Sequence, residues 1–315
     1  MKTDYAALSQ AHQRGDRFPL LVAVLLMAIW GCSMTPQPTR IQGVDLPLEA
    51  GTIIAARTGK PIAYDDMLAD LRSVRLVFVG ERHPDRAHHR VQLQLTRDLY
   101  RYTPRLTVGM EMFDHTYQAV LDRWVSGQLD EDTFLKQSHW YANWRYDFGL
   151  YRDLLDFIKT NHIRLVGLNI PFHIPPKIAI GGIENLSADE QKRLPQHIDT
   201  SQAAHRAYLA NVFERHPRPR GRDSFENFYL TQCVWEDAMA EAIARNLTAE
   251  GRMLVVAGNG HIIRKFGIPD RASARTGASF RTLYLSAGGQ EVALDYADYI
   301  WITPTDPASA HSAHP

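Results

Sequence analysis

The chain has 315 residues and carries 35 Lys and Arg against 35 Asp and Glu. This balance excludes the strongly basic class of proteins that bind nucleic acid or an anionic surface through net charge, so no nucleic-acid partner is expected. With 45% hydrophobic and 22% charged residues, the composition is that of a globular protein. Its length is sufficient for one large α/β domain or two small ones.

The first segment has the pattern of a bacterial lipoprotein signal. A leader with Lys2, Arg14 and Arg17 precedes a short apolar run that ends at Gly31 and Cys32. A basic leader, a short apolar run and a small residue before the cut are typical of a secretory signal peptide, and cysteine after the cut indicates a lipoprotein. The run is shorter than the roughly 20 residues that a membrane-spanning helix needs. The alternative is an uncleaved or differently cleaved signal anchor.

The lipoprotein interpretation predicts where the mature chain works. We expect residues 1–31 to be removed, lipid to be attached to Cys32, and residues 32–45 to form the lipidated N-terminus and a tether. The protein would then be anchored in the bacterial cell envelope. Ser33 after the cysteine favours the outer membrane in a Gram-negative host. The partners predicted here are the bacterial membrane, reached through the lipid, and an outer-membrane receptor.

Between residues 46 and 303, short apolar runs alternate with longer amphipathic segments. The runs are nearly continuous, which is typical of parallel strands buried on both faces. The alternation predicts a doubly wound, mainly parallel α/β sheet flanked by helices. Residues 281–285 and 296–302 are expected as edge strands, residues 172–222 as a smaller helical insertion, and residues 304–315 as a disordered tail. The other predicted strands are residues 75–79, 106–110, 163–168 and 253–257.

Polar side chains follow each of these four strands. They are Glu81, His83, Glu111, Asn169, Asn259 and His261. Because open parallel sheets bind ligands outside the carboxyl ends of their strands, we expect these side chains at one rim. His83, His261 and Glu81 are candidate ligands of a divalent metal, and with Glu111 they are equally candidates for an acid–base site without metal. The spacing leaves both alternatives open, beside the one in which each residue only caps a helix or shapes a turn.

Two further clusters accompany the strand-end residues. Residues 139–148 are rich in aromatic side chains, and we favour a structural plug over the sheet rather than a stacking surface for a ligand. In the insertion, His205 and Tyr208 are three residues apart and would share one face of a helix, with His197 and His216 nearby. Tyrosinate and imidazole are both iron ligands in haem proteins. This second cluster is therefore a candidate haem site.

Several short motifs occur in a fixed order along the chain. They are V-G-E-R-H at 79–83, G-M-E-M at 109–112, G-L-N-I-P at 167–171, Q-C-V-W-E-D-A-M-A at 232–240, G-N-G-H at 258–261 and G-I-P-D-R at 267–271. Together they resemble the ChaN-like family of iron-regulated, haem-binding lipoproteins over nearly the whole mature domain. The chain departs from the family pattern at Phe172, where a basic residue is expected after the Asn-x-Pro turn.

The resemblance implies an α/β domain that binds haem through a tyrosine, with paired haems held between the subunits of a homodimer. Tyr208, with His205 or His216 nearby, is the candidate iron ligand because it lies in the helical insertion. The motifs add three more residues to the rim: Trp235, Asp237 and Arg271. The strand-end pattern is also similar to a wider superfamily that includes erythromycin esterases and TIKI-type metalloproteases. That similarity implies a hydrolytic or metal-binding rim.

Besides a surface lipoprotein whose rim is vestigial, two functions stay open at the level of sequence. The first is a lipid-anchored haem-binding lipoprotein that acts in iron or haem uptake. The second is a metal-dependent hydrolase, esterase- or peptidase-like, in which Glu81 or Glu111 is the general base. His83 and His261 would then be metal ligands or acid–base partners. The two are not exclusive, because a domain can bind haem between subunits and keep a polar cleft at the rim of its sheet.

Overall fold

An eight-stranded sheet lies at the centre of the fold, in a computed structural model that describes residues 39–46, 48–215 and 221–305. The predicted signal with Cys32, His216 and the tail from residue 306 lie outside the described residues. In the described segments, no helix has both the length and the apolar character needed to span a membrane. The strands are β1 (Arg40–Gln42), β2 (Ile53–Ala55), β3 (Lys60–Ile62), β4 (Leu76–Glu81), β5 (Leu106–Asp114), β6 (Arg164–Asn169), β7 (Arg252–Gly258), β8 (Phe280–Ala287), β9 (Glu291–Ala293) and β10 (Tyr299–Thr303).

Helices connect these strands and pack on the sheet. They are α1 (Tyr64–Leu71), α2 (Arg86–Tyr102), α3 (Gln118–Val125), α4 (Glu131–Gln137), α5 (Trp140–Asn143), α6 (Arg152–Thr160), α7 (Ile174–Gly181), α8 (Ala188–Gln191), α9 (Ala203–Arg215), α10 (Phe225–Asn246), α11 (Asn259–Ile262) and α12 (Ile268–Thr276). Short 3₁₀ helices cover His115–Tyr117, Phe148–Leu150, Ile183–Asn185, Ile263–Lys265 and Leu294–Tyr296.

The strand order confirms a mainly parallel α/β sheet flanked by helices. The order is β3-β2-β10-β8-β4-β7-β5-β6. All neighbours from β10 to β6 run parallel, whereas β2 is antiparallel to both β10 and β3. Strands β1 and β9 form a separate two-stranded parallel ladder.

The prediction that residues 281–285 and 296–302 form edge strands was wrong. Strand β8 lies between β10 and β4, and β10 lies between β8 and β2. The hairpin of β2 and β3 occupies that edge instead. Each of its strands has three residues, which is too short for a periodic pattern to reveal in the sequence.

Both faces of the parallel strands are buried, which explains their continuous hydrophobicity. On β4, Val77 and Val79 belong to the core on the side of α2 and α6. Their neighbours Leu76 and Phe78 belong to the core on the side of α10 and α12. Each such side chain contributes roughly 1.5–3 kcal/mol by leaving water. Helices therefore pack on both faces of the sheet, and this packing fixes the position of the carboxyl ends of the strands.

A side chain rather than a further strand covers the edge at β6. The Gln118 side chain, on α3, donates a hydrogen bond to the carbonyl of Leu165 at 2.8 Å and accepts one from the amide of Gly167 at 3.2 Å. These bonds occupy backbone groups that an open edge would present to another chain.

The connection from β6 to β7 is helical and places α9 against α10. Helices α7, α8 and α9 lie in the region predicted as an insertion at about 172–222. The long helix α10 begins where the Ser224 hydroxyl accepts a hydrogen bond from the Asn227 amide. Its buried side packs on the sheet and carries the residues that link α9 to the strand ends.

Candidate functional site

The ends of β4, β5 and β7 bring two carboxylates and two imidazoles together. Glu81 and Glu111 are each 2% exposed. His83 Nδ1 lies 2.8 Å from Glu81 Oε1, and His261 Nε2 lies 3.4 Å from Glu111 Oε1. The two pairs meet at Gly258, because a β-carbon there would lie 3.0 Å from His83 Cε1 and 3.5 Å from Glu111 Oε2. The four side chains that the strand-end pattern placed at one rim therefore lie together.

The Glu81 carboxylate is held from several sides. The Tyr151 hydroxyl donates to Oε1 at 2.6 Å, and the Gln92 amide donates to Oε2 at 2.7 Å. His89 Nδ1 lies 3.4 Å from Oε2. Although burial opposes the charged form, His89 and His83 keep the pKa of Glu81 below its usual value. Tyr151, Gln92 and His89 were not predicted from the sequence, because they belong to none of the motifs: His89 and Gln92 lie within the amphipathic helix α2, and Tyr151 directly precedes α6.

Aromatic rings enclose His83. Its ring centre lies 4.6 Å from that of Trp144 and 5.1 Å from that of Tyr146. Burial lowers the pKa of His83, but the hydrogen bond to Glu81 and the charge of Glu111 raise it above its usual value overall. Trp140 and Phe148 of the same segment are fully buried in the core. These contacts agree with the predicted aromatic plug, which covers the rim at His83.

His261 lies between two carboxylates. Its Nε2 is 3.4 Å from Glu111 Oε1 and its Nδ1 is 3.5 Å from Glu236 Oε1. Burial disfavours the charged imidazole, yet Glu111 and Glu236 raise the pKa of His261 to about 10. In the same way burial opposes ionisation of Glu111, but His261 lowers the pKa of Glu111 to about 2. At neutral pH the pair is ionised, and His261 is a proton donor rather than a base.

Glu236 joins the rim to helix α9. It is 1% exposed, and its Oε2 lies 3.6 Å from His205 Nε2 and 3.5 Å from Arg271 Nε. None of these approaches has hydrogen-bond geometry. Four buried atoms of these side chains have no hydrogen-bond partner among the described residues: Glu236 Oε2, His205 Nδ1, His261 Nδ1 and Arg271 Nε. Such atoms are rare in folded proteins. Glu236 lies in the Q-C-V-W-E-D-A-M-A motif but was not predicted as a site residue, because an acidic side chain in a helix is usually solvated.

Helix α9 places His205 and Tyr208 on one face, as their spacing predicts. The ring centre of Phe266 lies 5.9 Å from that of His205 and 6.2 Å from that of Tyr208. His205 is 2% exposed, whereas Tyr208 is half-buried. The Arg264 guanidinium lies 5.8 Å from the Tyr208 ring centre. Burial raises the pKa of Tyr208, and the charge of Arg264 opposes that rise. Of the two predicted haem ligands described, Tyr208 is the one that a ligand reaches from solvent.

Asn169, Asn259 and Trp235 shape the rim through internal hydrogen bonds. The Asn169 amide donates to the carbonyl of Glu111 at 3.0 Å, and its Oδ1 accepts from the indole of Trp235 at 2.5 Å. The Asn259 amide donates to the carbonyl of Leu285 at 2.8 Å. These bonds fix the turns that follow β6 and β7. With these turns fixed, the strand-end Glu and His side chains face one another across the rim.

Asp237 and Arg271 form a buried clamp between α10 and α12. Arg271 donates to Asp237 Oδ2, Arg275 donates to Asp237 Oδ1 at 2.7 Å, and the Asp199 amide donates to Asp237 Oδ2 at 2.8 Å. Asp237 and Arg271 are at most 2% exposed. The clamp therefore positions the segment that leads into α9.

Phe172 packs edge-on against Trp144, with ring centres 6.1 Å apart. The position at which the family pattern predicts a basic residue is therefore part of the apolar packing around the aromatic plug.

The rim does not support the predicted divalent metal. In the part of the chain that the structure describes, no group of three or more His, Cys, Asp or Glu side chains is arranged to hold a metal ion. Both rim imidazoles face carboxylates that raise their pKa. These imidazoles would have to be neutral to bind a metal.

The chain is therefore an α/β protein with a strand-end site. A Glu/His cluster lies at the carboxyl end of its parallel sheet, and a helix is joined to that cluster. A family profile described as "Haem-binding uptake, Tiki superfamily, ChaN" matches residues 67–272, which is more than half of the chain. The chain belongs to this family, as the motifs predicted. The matched segment contains the rim, the aromatic plug, α9 and α10.

A solved structure confirms the fold. A structure described as cofacial haem binding to ChaN of Campylobacter jejuni has a TM-score of 0.65 and 18% identity, covering 81% of this chain and 98% of that one. The type III effector HopBA1 has a TM-score of 0.46 and 12% identity, covering 88% of this chain and 100% of the other. An erythromycin esterase in its open conformation has a TM-score of 0.45 and 13% identity, covering 76% of each chain. No curated protein matches the chain.

Proposed function

We propose that this protein is a lipid-anchored haem-binding lipoprotein that acts in iron or haem uptake. Membership of the haem-binding uptake family supports the ligand. The basic leader, the apolar run and Cys32 support the anchor in the cell envelope, at the outer membrane. The Campylobacter jejuni ChaN of the same fold is described as binding haem cofacially.

The observation that carries the proposal is the setting of Tyr208. Its half-buried ring lies beside Phe266 and under the guanidinium of Arg264, one helical turn from the buried His205. These residues fit a haem: an aromatic surface for the flat ring, a phenol for ferric iron, and a cation that favours the phenolate. Bound haem would supply the iron that the cell takes up. Tyr208 would bind and orient it.

Ligand spectra of a tyrosine variant test this assignment. Tyr208→Phe should lose the charge-transfer band of a ferric tyrosinate while the chain stays folded. Tyr102→Phe is the matched control, because Tyr102 is 52% exposed at the far end of α2. A spectrum of Tyr208→Phe identical to that of the wild type would remove Tyr208 as the ligand.

We further propose that two haems pair between two subunits, so that haem drives dimerisation. The cofacial arrangement described for the Campylobacter jejuni protein supports this geometry. Size-exclusion chromatography with light scattering should then give a monomer without haem and a dimer with it. A monomer at saturating haem would contradict the pairing.

The anchor has its own test. Cys32→Ser should abolish incorporation of labelled fatty acid into the protein, because the cysteine thiol is the group that is lipidated. Label that persists in Cys32→Ser would exclude Cys32 as the lipidated residue, and a wild type that takes up no label would favour a signal anchor instead of lipidation. An outer-membrane receptor is the partner expected for a lipoprotein placed there.

A second candidate function is hydrolysis at the rim without metal. Two Glu–His pairs with buried carboxylates meet at Gly258, and the aromatic plug packs against His83, whose side chain is 26% exposed. Because both imidazoles have raised pKa values, they suit proton donation to a leaving group more than proton abstraction. Glu81 or Glu111 would act as the base. Hydrolysis of activated esters that survives both His83→Ala and His261→Ala would exclude this function.

A further inference from the structure

The segment after the G-N-G-H motif has an unusual backbone. Arg264 and Lys265 are consecutive non-glycine residues with φ of 53° and 67°. Side chains with a β-carbon rarely adopt this left-handed region, and they keep it where surrounding contacts impose it, often at functional sites. Lys265 is fixed by an ion pair with Asp298 at 2.7 Å. Arg264, the other residue with a positive φ, lies on an aromatic surface.

The guanidinium of Arg264 lies on two tyrosine rings from different parts of the chain. Its carbon is 5.8 Å from the ring centre of Tyr208 and 5.6 Å from that of Tyr296. The Tyr296 ring in turn lies 5.3 Å from that of Tyr284. All of these side chains are half-buried. A cation held over aromatic faces and partly shielded from water is stabilised by the rings and binds an anion more strongly than a solvated one does.

One acid faces Arg264. The Arg264 Nε lies 3.1 Å from Asp295 Oδ2, and the Asp295 side chain is 63% exposed. Ion pairs with an exposed carboxylate are worth little. Arg264 Nε makes no hydrogen bond to a described residue. A planar guanidinium binds a carboxylate through two parallel hydrogen bonds, so a ligand carboxylate that fits beside the rings would displace Asp295.

We propose that Arg264 binds a propionate carboxylate of the haem and thereby selects free-acid porphyrins over their esters. The inference rests on the proposed haem-binding function and adds to it the residue that recognises the carboxylate. In this arrangement Tyr208 binds the iron, while Tyr284 and Tyr296 extend the aromatic surface beneath Arg264. A porphyrin without free carboxylates keeps the iron and the ring but loses the contact with Arg264.

The test compares two ligands that differ only in the carboxylates. Ferric protoporphyrin IX and its dimethyl ester are titrated, by absorbance in the same mild detergent, into the wild type, Arg264→Gln and Asp295→Asn. Arg105→Gln is the matched control, because Arg105 also pairs with one exposed acid, Glu250. Thermal unfolding confirms that each variant is folded. Asp295→Asn removes the competing acid at an exposed position, so the test does not depend on the folding of Arg264→Gln.

We expect the wild type to prefer the free acid, and Arg264→Gln to lose about tenfold of that preference, measured as the ratio of its affinities for the free acid and the ester. Asp295→Asn should bind the free acid more tightly, without effect on the ester. If the wild type, Arg264→Gln and Asp295→Asn all prefer the free acid over the ester to the same degree, the role of Arg264 is overturned. The proposed haem binding would not be affected by that result. A wild type that binds neither ligand would overturn the proposed function together with this inference. In Tyr208→Phe the preference for the free acid should persist.

Discussion

Glu236 Oε2 lies 3.6 Å from His205 Nε2, and this approach connects α10 to the helix that carries Tyr208. Through its other oxygen Glu236 also faces His261, which pairs with Glu111 at the end of β5. The strand-end rim and the tyrosine face of α9 are therefore parts of one buried polar network. A change of charge at Glu236 should affect both.

Loss of the Glu236 charge should destabilise the fold strongly. In Glu236→Gln, His261 and Arg271 lose a shared carboxylate inside the protein, and breaking one side of a buried ionic cluster costs roughly 3–5 kcal/mol. Urea unfolding followed by far-ultraviolet circular dichroism measures the change. The control Glu226→Gln lies on the same helix and also removes a partner of an arginine, but the Glu226 side chain is 69% exposed. That control should change stability by about 0–1 kcal/mol, and equal losses in the two variants would contradict a buried network.

Stability should fall on both sides of mildly acidic pH. The pKa of His261 in the folded protein, about 10, lies above the usual 6.5. Its contribution is therefore complete below about 6.5 and is lost as pH rises towards 10. The pKa of Glu111, about 2, lies below the usual 4.5, so its contribution is present above 4.5 and is lost as pH falls towards 2.

Melting temperatures measured across pH, for the wild type and for His261→Gln, test this pair of shifts. As far as the Glu111–His261 ion pair determines stability, the wild type should be most stable between about pH 4.5 and pH 6.5. His261→Gln should be less stable there and should show a shallower alkaline decline. Parallel curves for the two proteins above pH 6.5 would show that His261 has no raised pKa.

The close approach of β4 and α11 at the rim leaves no room for a side chain at Gly80. A β-carbon at Gly80 would lie 2.0 Å from Asn259 Oδ1 and 2.8 Å from the Ile262 side chain. Gly80→Ala should therefore push the G-N-G-H loop outward and cost roughly 1–3 kcal/mol through overpacking. Gly260 of that loop is the control, because a β-carbon there meets nothing within 4 Å. We expect a clear drop in melting temperature for Gly80→Ala alone, and a similar drop for Gly260→Ala would point to a general glycine effect.

Much of the fold follows from local sequence signals. The run from Leu76 to Val79 predicts a strand buried on both faces, because continuous hydrophobicity suits a parallel interior strand. The placement of Glu81, Glu111 and His261 follows in turn, since the carboxyl ends of parallel strands meet at one edge. These steps need only the period of the pattern and the geometry of the sheet.

Other features depend on packing that the sequence does not display. Glu236 becomes a buried link only because α10 crosses the sheet end, and its single carboxylate gives no periodic signal. The strands at Phe280–Ala287 and Tyr299–Thr303 were expected at an edge, because the three-residue strands β2 and β3, which continue the sheet beyond β10, are invisible to pattern analysis. Arg264 was not predicted either, since its position over Tyr208 and Tyr296 results from a backbone conformation that arginine rarely adopts.

One measurement tests the central claim most directly: ferric haem is titrated into the purified domain that begins after Cys32, and binding is followed by absorbance. The metal content of the same sample is analysed in parallel. The account predicts saturable binding with the spectrum of a ferric tyrosinate complex, and no stoichiometric divalent metal. Absence of saturable haem binding, with a divalent metal retained by the protein instead, would contradict the account.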